Sequence, residues 1–308
     1  MTLHTRYRPK TFDEVIGQDA AVAAIESVLK KRSNQTFLFH GPSGTGKTTL
    51  ARICATELGC KAGGSIIEFD AATHTGIDDM REIVSNNTLR PLGGGNRAII
   101  IDEVHAISKS AWASMLKVLE EPQAWLFWFL CTTELGKVPA NIKTRCASFE
   151  MKAVSEDDLF GLLKTIISKE RIGPPDDILD LCVREAYGSP RQAIVNLGIC
   201  ASVQNKQEAA ELLRSAEAAG KGVIDLCQAL LKREAWNRVR NILNDLKDTN
   251  AESVKAVVCD YMTKVVLNAK EPKSAGMATE VLSAFINTPF YQGSGFAPVV
   301  VACAKVIL

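Results

Sequence analysis

The sequence has no apolar run long enough to cross a bilayer. Its densest, Ala124 to Cys131, falls far short of the roughly 20 residues a membrane helix needs. The first ten residues, Met1 to Lys10, contain no apolar signal core. Both absences predict a soluble, cytoplasmic protein with no membrane partner. Cysteines are present, nine of them, but none is spaced Cys-x-x-Cys. They are scattered through apolar stretches, which predicts reduced, buried thiols and neither disulfides nor bound zinc. An excess of one charge is also missing. With 36 basic and 35 acidic residues the net charge is +1, so no global field draws the chain to nucleic acid. Any such contact must come from local patches or from several subunits together.

What is present begins with Gly41-Pro42-Ser43-Gly44-Thr45-Gly46-Lys47-Thr48. It follows the apolar run Thr36 to His40 and precedes a helical stretch that starts at Thr49. Strand, glycine-rich turn and helix, closed by Gly-Lys-Thr, is a phosphate-binding loop. The glycines let backbone N–H groups turn inward around phosphate oxygens, and the helix N-terminus adds positive partial charge. Lys47 would reach the β- and γ-phosphates of ATP, and the Thr48 hydroxyl would hold Mg²⁺.

A second signal is Arg97-Ala98-Ile99-Ile100-Ile101-Asp102-Glu103-Val104-His105. The uninterrupted apolar residues predict a central parallel strand, and ligands bind at the C-terminal ends of such strands. Asp102 would hold Mg²⁺ and Glu103 would polarise an attacking water. His105 receives no catalytic role at this level. Trp125 to Cys131 reads as another buried strand, and Ser108 to Pro122 as a helix.

Nearer the N-terminus, Pro9 and mixed charge make residues 6–18 read as extended. Their aromatic ring and Val15-Ile16-Gly17 patch would cover an adenine base, or simply pack as an arm on the domain. Residues 19–32 read as a helix, as do Glu156 to about Glu170 behind a Ser155 cap and Asp176 to Ala186. In Gly188-Ser189-Pro190-Arg191, Ser189 suits an N-cap and Pro190 the first helical position. Arg191 then opposes the helix dipole, a conflict that a bound anion relieves. Beyond about residue 207 only helical stripes remain, the clearest being Val254, Val257, Val258, Tyr261, Met262, Val265 and Val266.

Several of these stretches together resemble the AAA+ clamp-loader ATPases, meaning bacterial polymerase III gamma/tau and the replication factor C small subunits. The resemblance is carried by Arg6-Tyr7-Arg8-Pro9 with Val15-Ile16-Gly17-Gln18, by the phosphate loop, by Asp102-Glu103-Val104-His105, by Met115 to Pro122 and by Thr144-Arg145-Cys146. It covers about residues 1–200. It implies an α/β AAA+ P-loop NTPase with a parallel sheet, a helical lid and an all-α C-terminal collar: a nucleotide-binding core over 1–152, a lid over 153–206 and a collar over 207–308. Tyr7, Arg8, Pro9, Val15, Ile16 and Gly17 would lie near adenine. Thr133, with Thr132 as the other candidate, would be the first sensor and Arg191 the second. Arg145 would enter a neighbouring subunit's ATP site as an arginine finger. Arg81, Lys109 and Lys117 would touch DNA, or serve as plain surface cations.

The chain departs from that pattern in two places. It has Cys60 alone where bacterial gamma/tau proteins carry a four-cysteine zinc module, which points to a streamlined relative of the kind a phage would encode. It has His74-Thr75-Gly76 where relatives place basic residues. The implied function is that of an ATPase subunit in a pentameric hetero-oligomer that opens a sliding clamp and loads it on primer–template DNA. The competing readings are another AAA+ DNA motor, such as a branch-migration helicase, and a non-catalytic structural subunit. The helical tail, with no winged-helix pattern, argues against the first. The intact Lys47, Thr48, Asp102 and Glu103 argue against the second.

Overall fold

The computed structural model describes residues 2–31, 35–60, 65–71, 83, 90, 94–120, 123–247, 249–269, 272–291 and 294–308. Three apolar runs set the centre of its first compact unit, Met1–Ala209. They are β1 (Thr36–His40), β3 (Arg97–Asp102) and β4 (Leu126–Thr132). With β2 (Ile66–Asp70) and β5 (Ala147–Glu150) they form a sheet in the order β2-β3-β4-β1-β5, and every pairing is parallel.

Successive side chains leave a strand on opposite faces, and each face of this sheet has its own core. On one face Leu38, Ile99, Ile101, Trp128 and Leu130 pack with Trp112, Met115 and Leu119 of α4 (Lys109–Glu120). On the other, Phe37, Phe39, Ile100, Phe129 and Cys131 pack with Ile25 of α2 (Asp19–Lys31) and with Leu50 and Cys54 of α3 (Lys47–Glu57). Burial on both faces is why these strands read as unbroken apolar runs. Phe129 stacks on Phe37 at 5.0 Å and on Phe39 at 6.3 Å, and Phe39 stacks on Phe149 at 5.7 Å, so the aromatic row crosses three strands.

Residues 6–18 are less extended than the sequence predicts, because Phe12–Glu14 makes a 3-10 turn. Ahead of them Leu3–Arg6 makes a single helical turn, α1. The Tyr7 N–H donates to the Leu3 carbonyl at 2.9 Å and closes α1 before Pro9 enforces an extended chain. After β5 the chain becomes helical: α6 (Glu156–Glu170), α7 (Asp176–Arg184) and α8 (Pro190–Cys200), which pack on one another, with α1 against α8. A single turn, α5 (Ala140–Lys143), precedes β5. Ser155 accepts the Asp158 N–H at 3.1 Å and Ser189 the Gln192 N–H at 3.2 Å, so both predicted caps form. The helix expected to run to Ala186 ends at Arg184, where Ala186 and Tyr187 turn out and Tyr187 takes φ 48°.

The second compact unit, Ala210–Leu308, is all helical among its described residues. It holds most of α9 (Lys206–Leu231), then α10 (Trp236–Leu246), α11 (Ala251–Asn268), α12 (Pro272–Asn287) and α13 (Ala297–Ile307). Its core gathers Leu226, Leu243, Val258, Met262, Phe285 and Cys303. The predicted stripe on α11 is narrower than expected. Val254, Val258 and Met262 are buried, but Val257 is 43% exposed, because successive i, i+4 positions face the core and i+3 swings to its edge. No described helix is long and apolar enough to cross a membrane.

Candidate active site

The C-terminal ends of β1 and β3 open onto a cleft whose empty space, open solvent included, is about 950 Å³. Its floor is the turn between β1 and α3. Gly44 has φ 74°, and a Cβ there would overlap Ser189 Oγ at the start of α8, so the loop and that helix are in direct contact. Gly46, at φ 108°, is the residue before α3, whose first N–H groups face the turn. Lys47 is 6% exposed; its Nζ donates to the carbonyls of Gly41 at 2.9 Å and Pro42 at 2.8 Å. Burial holds its pKa below that of an ordinary lysine, against the opposing pull of Glu103 and Asp102. The Thr45 hydroxyl closes the turn by donating to the Pro42 carbonyl at 2.8 Å.

At the end of β3, Asp102 Oδ2 accepts the Thr48 hydroxyl at 2.7 Å and its Oδ1 accepts the Glu103 N–H at 3.0 Å. Glu103 takes φ 48°, unusual for a residue with a side chain, and its Oε2 accepts both the Thr133 N–H at 3.2 Å and the Thr133 hydroxyl at 3.0 Å. A hydroxyl beside one carboxylate is an all-oxygen donor set of the kind Mg²⁺ takes. The second carboxylate stands next to it within the same cleft.

The cleft's other walls come from the arm and from α6 and α8. Tyr7, Arg8, Pro9, Val15 and Ile16 line it, as do Ser43 through Thr49. Arg191, Ile194 and Leu162 close the far side. Arg8 is partly buried, and burial together with Arg52 and Arg191 lowers its pKa. Neither the Arg8 nor the Arg191 side chain forms a hydrogen bond or ion pair with another described residue, although the charges of Glu68 and Asp102 act on Arg8 (Arg52, by contrast, is ion-paired to Glu68). His4, unremarked in the sequence, also lines the cleft, and burial, Arg191 and Arg8 push its pKa down.

Some expected residues lie beside the cleft and not in its wall. Gly17, at φ 65°, packs on Val154, and Gly41 and Pro42 sit behind the turn as carbonyl acceptors. Arg145 is elsewhere. It is exposed, its Nη2 paired with Glu120 Oε1 at 2.6 Å and its Nη1 donating to the Asn141 carbonyl at 2.6 Å. Lys109 is exposed at the start of α4. Arg81 lies outside the described residues, and the Lys117 side chain is likewise not described. Sequence reasoning missed Glu170, at the end of α6. Its carboxylate accepts Arg6 Nη1 at 2.6 and 2.8 Å and the Tyr7 hydroxyl at 2.7 Å, tying the arm to α6. No local pattern marks that contact, since 163 residues separate Tyr7 from Glu170.

Residues 64–155 match the family described as "DNA polymerase III, delta subunit". The chain is 36% identical over 213 residues to DNA polymerase III subunit gamma of Buchnera aphidicola subsp. Baizongia pistaciae, covering 62% of this chain and 58% of that one. It is 33% identical over 213 residues to DNA polymerase III subunit tau of Escherichia coli, covering 62% of this chain and 33% of that one. It thus spans less than two thirds of the length of these relatives. Among solved structures, the Thermotoga maritima RuvB Holliday junction branch migration motor aligns with a TM-score of 0.55 at 21% identity, over 73% of this chain and 79% of that one. Identity so low speaks for the fold alone, whereas the sequence likeness to gamma and tau is much higher. The chain is therefore similar in fold to the RuvB motor and, over 62% of its length, similar in sequence to the gamma and tau subunits of DNA polymerase III.

Proposed function

We propose that the protein is an ATPase subunit of a sliding-clamp loader, with its ATP site in the cleft between the β1–α3 turn, the N-terminal arm and α8. The observation that carries this is the meeting of Lys47, Thr48, Asp102, Glu103 and Thr133 at the ends of three adjacent strands, in a chain similar to gamma and tau. The phosphates would lie on the turn, with Lys47 exchanging its two carbonyl acceptors for phosphate oxygens. Arg191 and Arg8 line the cleft with no ion pair to another described residue, which suits anionic oxygens. Tyr7, Pro9, Val15 and Ile16, with Ile194 and Leu162, offer the apolar contacts that an adenine base takes. Thr48 and Asp102 would hold Mg²⁺, which supplies charge neutralisation at the β- and γ-phosphates.

Glu103 would take the proton of the attacking water, and Thr133, held on it by two hydrogen bonds, is the better placed of the two sensor candidates. Thr132 instead meets His105, and accepts the Glu134 N–H at 3.0 Å. Arg145 is too occupied on its own surface to serve this cleft, which supports a role in trans as the finger of a neighbouring subunit. The division into core 1–152, lid 153–206 and collar 207–308, the pentameric hetero-oligomer, the clamp and the primer–template DNA belong to the same proposal. So do DNA contacts by Arg81, Lys109 and Lys117. ATP turnover measured with and without a cognate clamp and primed DNA tests it. Stimulation by both together is expected; turnover indifferent to the clamp would defeat the loader assignment and leave only a AAA+ ATPase.

A further inference from the structure

We infer that His105 is a positioning residue for Glu103, an inference that rests on reading Glu103 as the proton acceptor. The turn Val104–Ala106 folds the imidazole back over the carboxylate two residues before it. His105 Nδ1 stands 3.2 Å from Glu103 Oε2 and 3.1 Å from Thr132 Oγ1. Its Nε2 stands 3.3 Å from Glu134 Oε1. Nδ1 shares a hydrogen bond with the Thr132 hydroxyl, and the two carboxylates lie against the ring at ion-pair distance.

The consequence for Glu103 is asymmetric. Oε2 accepts the Thr133 N–H and the Thr133 hydroxyl and lies 3.2 Å from His105 Nδ1, whereas Oε1 has no hydrogen-bond partner among the described residues. Two hydrogen bonds and the adjacent ring nitrogen restrict rotation about the terminal bond and leave Oε1 as the atom free to accept a proton from water in the cleft. Glu134 fixes the other end of the ring and is itself held by Lys137 Nζ at 2.8 Å. A chain of contacts thus runs from the exposed Glu134–Lys137 pair through His105 to the base. The His105 side chain is only 17% exposed, so solvent screens these contacts less than it would on an open surface.

The test compares the full chain, assembled with its partner subunits where turnover needs them, carrying His105→Ala, His105→Asn, His105→Gln or Glu103→Gln. Losing the contact in His105→Ala should lower kcat about tenfold, the scale of one close polar contact to a charged group. KM and nucleotide affinity should stay within about twofold, the signature of an interaction not made to bound substrate. His105→Asn, whose amide reaches the place of Nδ1, should recover most of the loss. His105→Gln, which reaches towards Glu134 instead, should not. Unchanged kcat in His105→Ala would overturn the inference, and so would equal losses in the Ala and Asn variants accompanied by lower melting temperatures, since that is a packing role. If Glu103→Gln itself turns over normally, the reading of Glu103 falls and takes this inference with it. An inactive Glu103→Gln beside a fully active His105→Ala sinks His105 alone.

Discussion

Arg145 and Glu120 are bound to each other across the surface of one chain, Nη2 to Oε1 at 2.6 Å, with the Asn141 carbonyl holding the other guanidinium nitrogen. Both side chains are substantially exposed, so the pair contributes little to folding. These contacts hold the guanidinium outside the lining of the chain's own cleft. Arg145→Ala should therefore leave ATP binding intact and abolish turnover of the assembled complex. Glu120→Ala should lower assembled turnover by a smaller factor, about threefold to tenfold, through loss of preorganisation. Equilibrium nucleotide binding and steady-state turnover of the two variants check this, and full turnover by Arg145→Ala would remove the finger role.

Thr48 and Asp102 share a 2.7 Å hydrogen bond where a divalent cation would be held. Asp102→Asn keeps the shape and removes the charge. It should cut Mg²⁺-dependent turnover about a hundredfold or more, the usual scale for losing one electrostatic contact to a transferring phosphoryl group. Nucleotide binding in chelator should barely change, and a variant that still responds to Mg²⁺ like the parent would contradict the assignment.

Gly44→Ala should fail for a backbone reason. Its φ of 74° costs an L-residue about 1–2 kcal/mol, and the new methyl would also strike Ser189 Oγ. Lower thermal stability and a loss of nucleotide affinity are expected together, because the loop would have to move away from α8. Calorimetric unfolding and binding of a fluorescent ATP analogue would reveal it.

Glu170 ties the arm to α6 through Tyr7 and Arg6, and these hydrogen bonds hold its pKa below that of an ordinary glutamate. A depressed carboxylate pKa contributes above the ordinary value and is lost as pH falls through the folded one, so this tie persists at neutral pH and fails in acid. Glu170→Ala should weaken nucleotide binding about threefold to tenfold at neutral pH, by releasing an arm that lines the cleft. The gap between variant and parent should close as the pH drops below the ordinary glutamate range. Affinity measured across that range decides it.

The parts of this site that were readable in the sequence are those in which neighbouring residues do the work. The turn from Gly41 to Thr48 needs glycines next to a lysine and a threonine, and Ile99 to Glu103 joins a buried strand to its own terminal acids, so each stretch carries its chemistry within a few positions. Leu38 between Phe37 and Phe39 belongs to one face of the sheet and they to the other, which is why β1 appeared only as an unbroken apolar run. Contacts formed by topology left no such trace. Arg145 lies 25 residues from Glu120 and His105 lies 27 from Thr132, and these pairs meet only because β3, β4 and α4 are adjacent. Within the stretch read as extended, the 3-10 turn Phe12–Glu14 was not foreseen, and α1 ahead of it packs on α8, far along the chain.

The central claim is that this cleft turns over ATP in order to load a clamp. The most direct measurement is steady-state ATP hydrolysis by the assembled complex with cognate clamp and primer–template DNA, beside the same complex carrying Lys47→Ala. Clamp and DNA together should raise hydrolysis above either alone, and the Lys47→Ala complex should show none of this rise. Hydrolysis that ignores the clamp, or that survives intact in the Lys47→Ala complex, would contradict the claim.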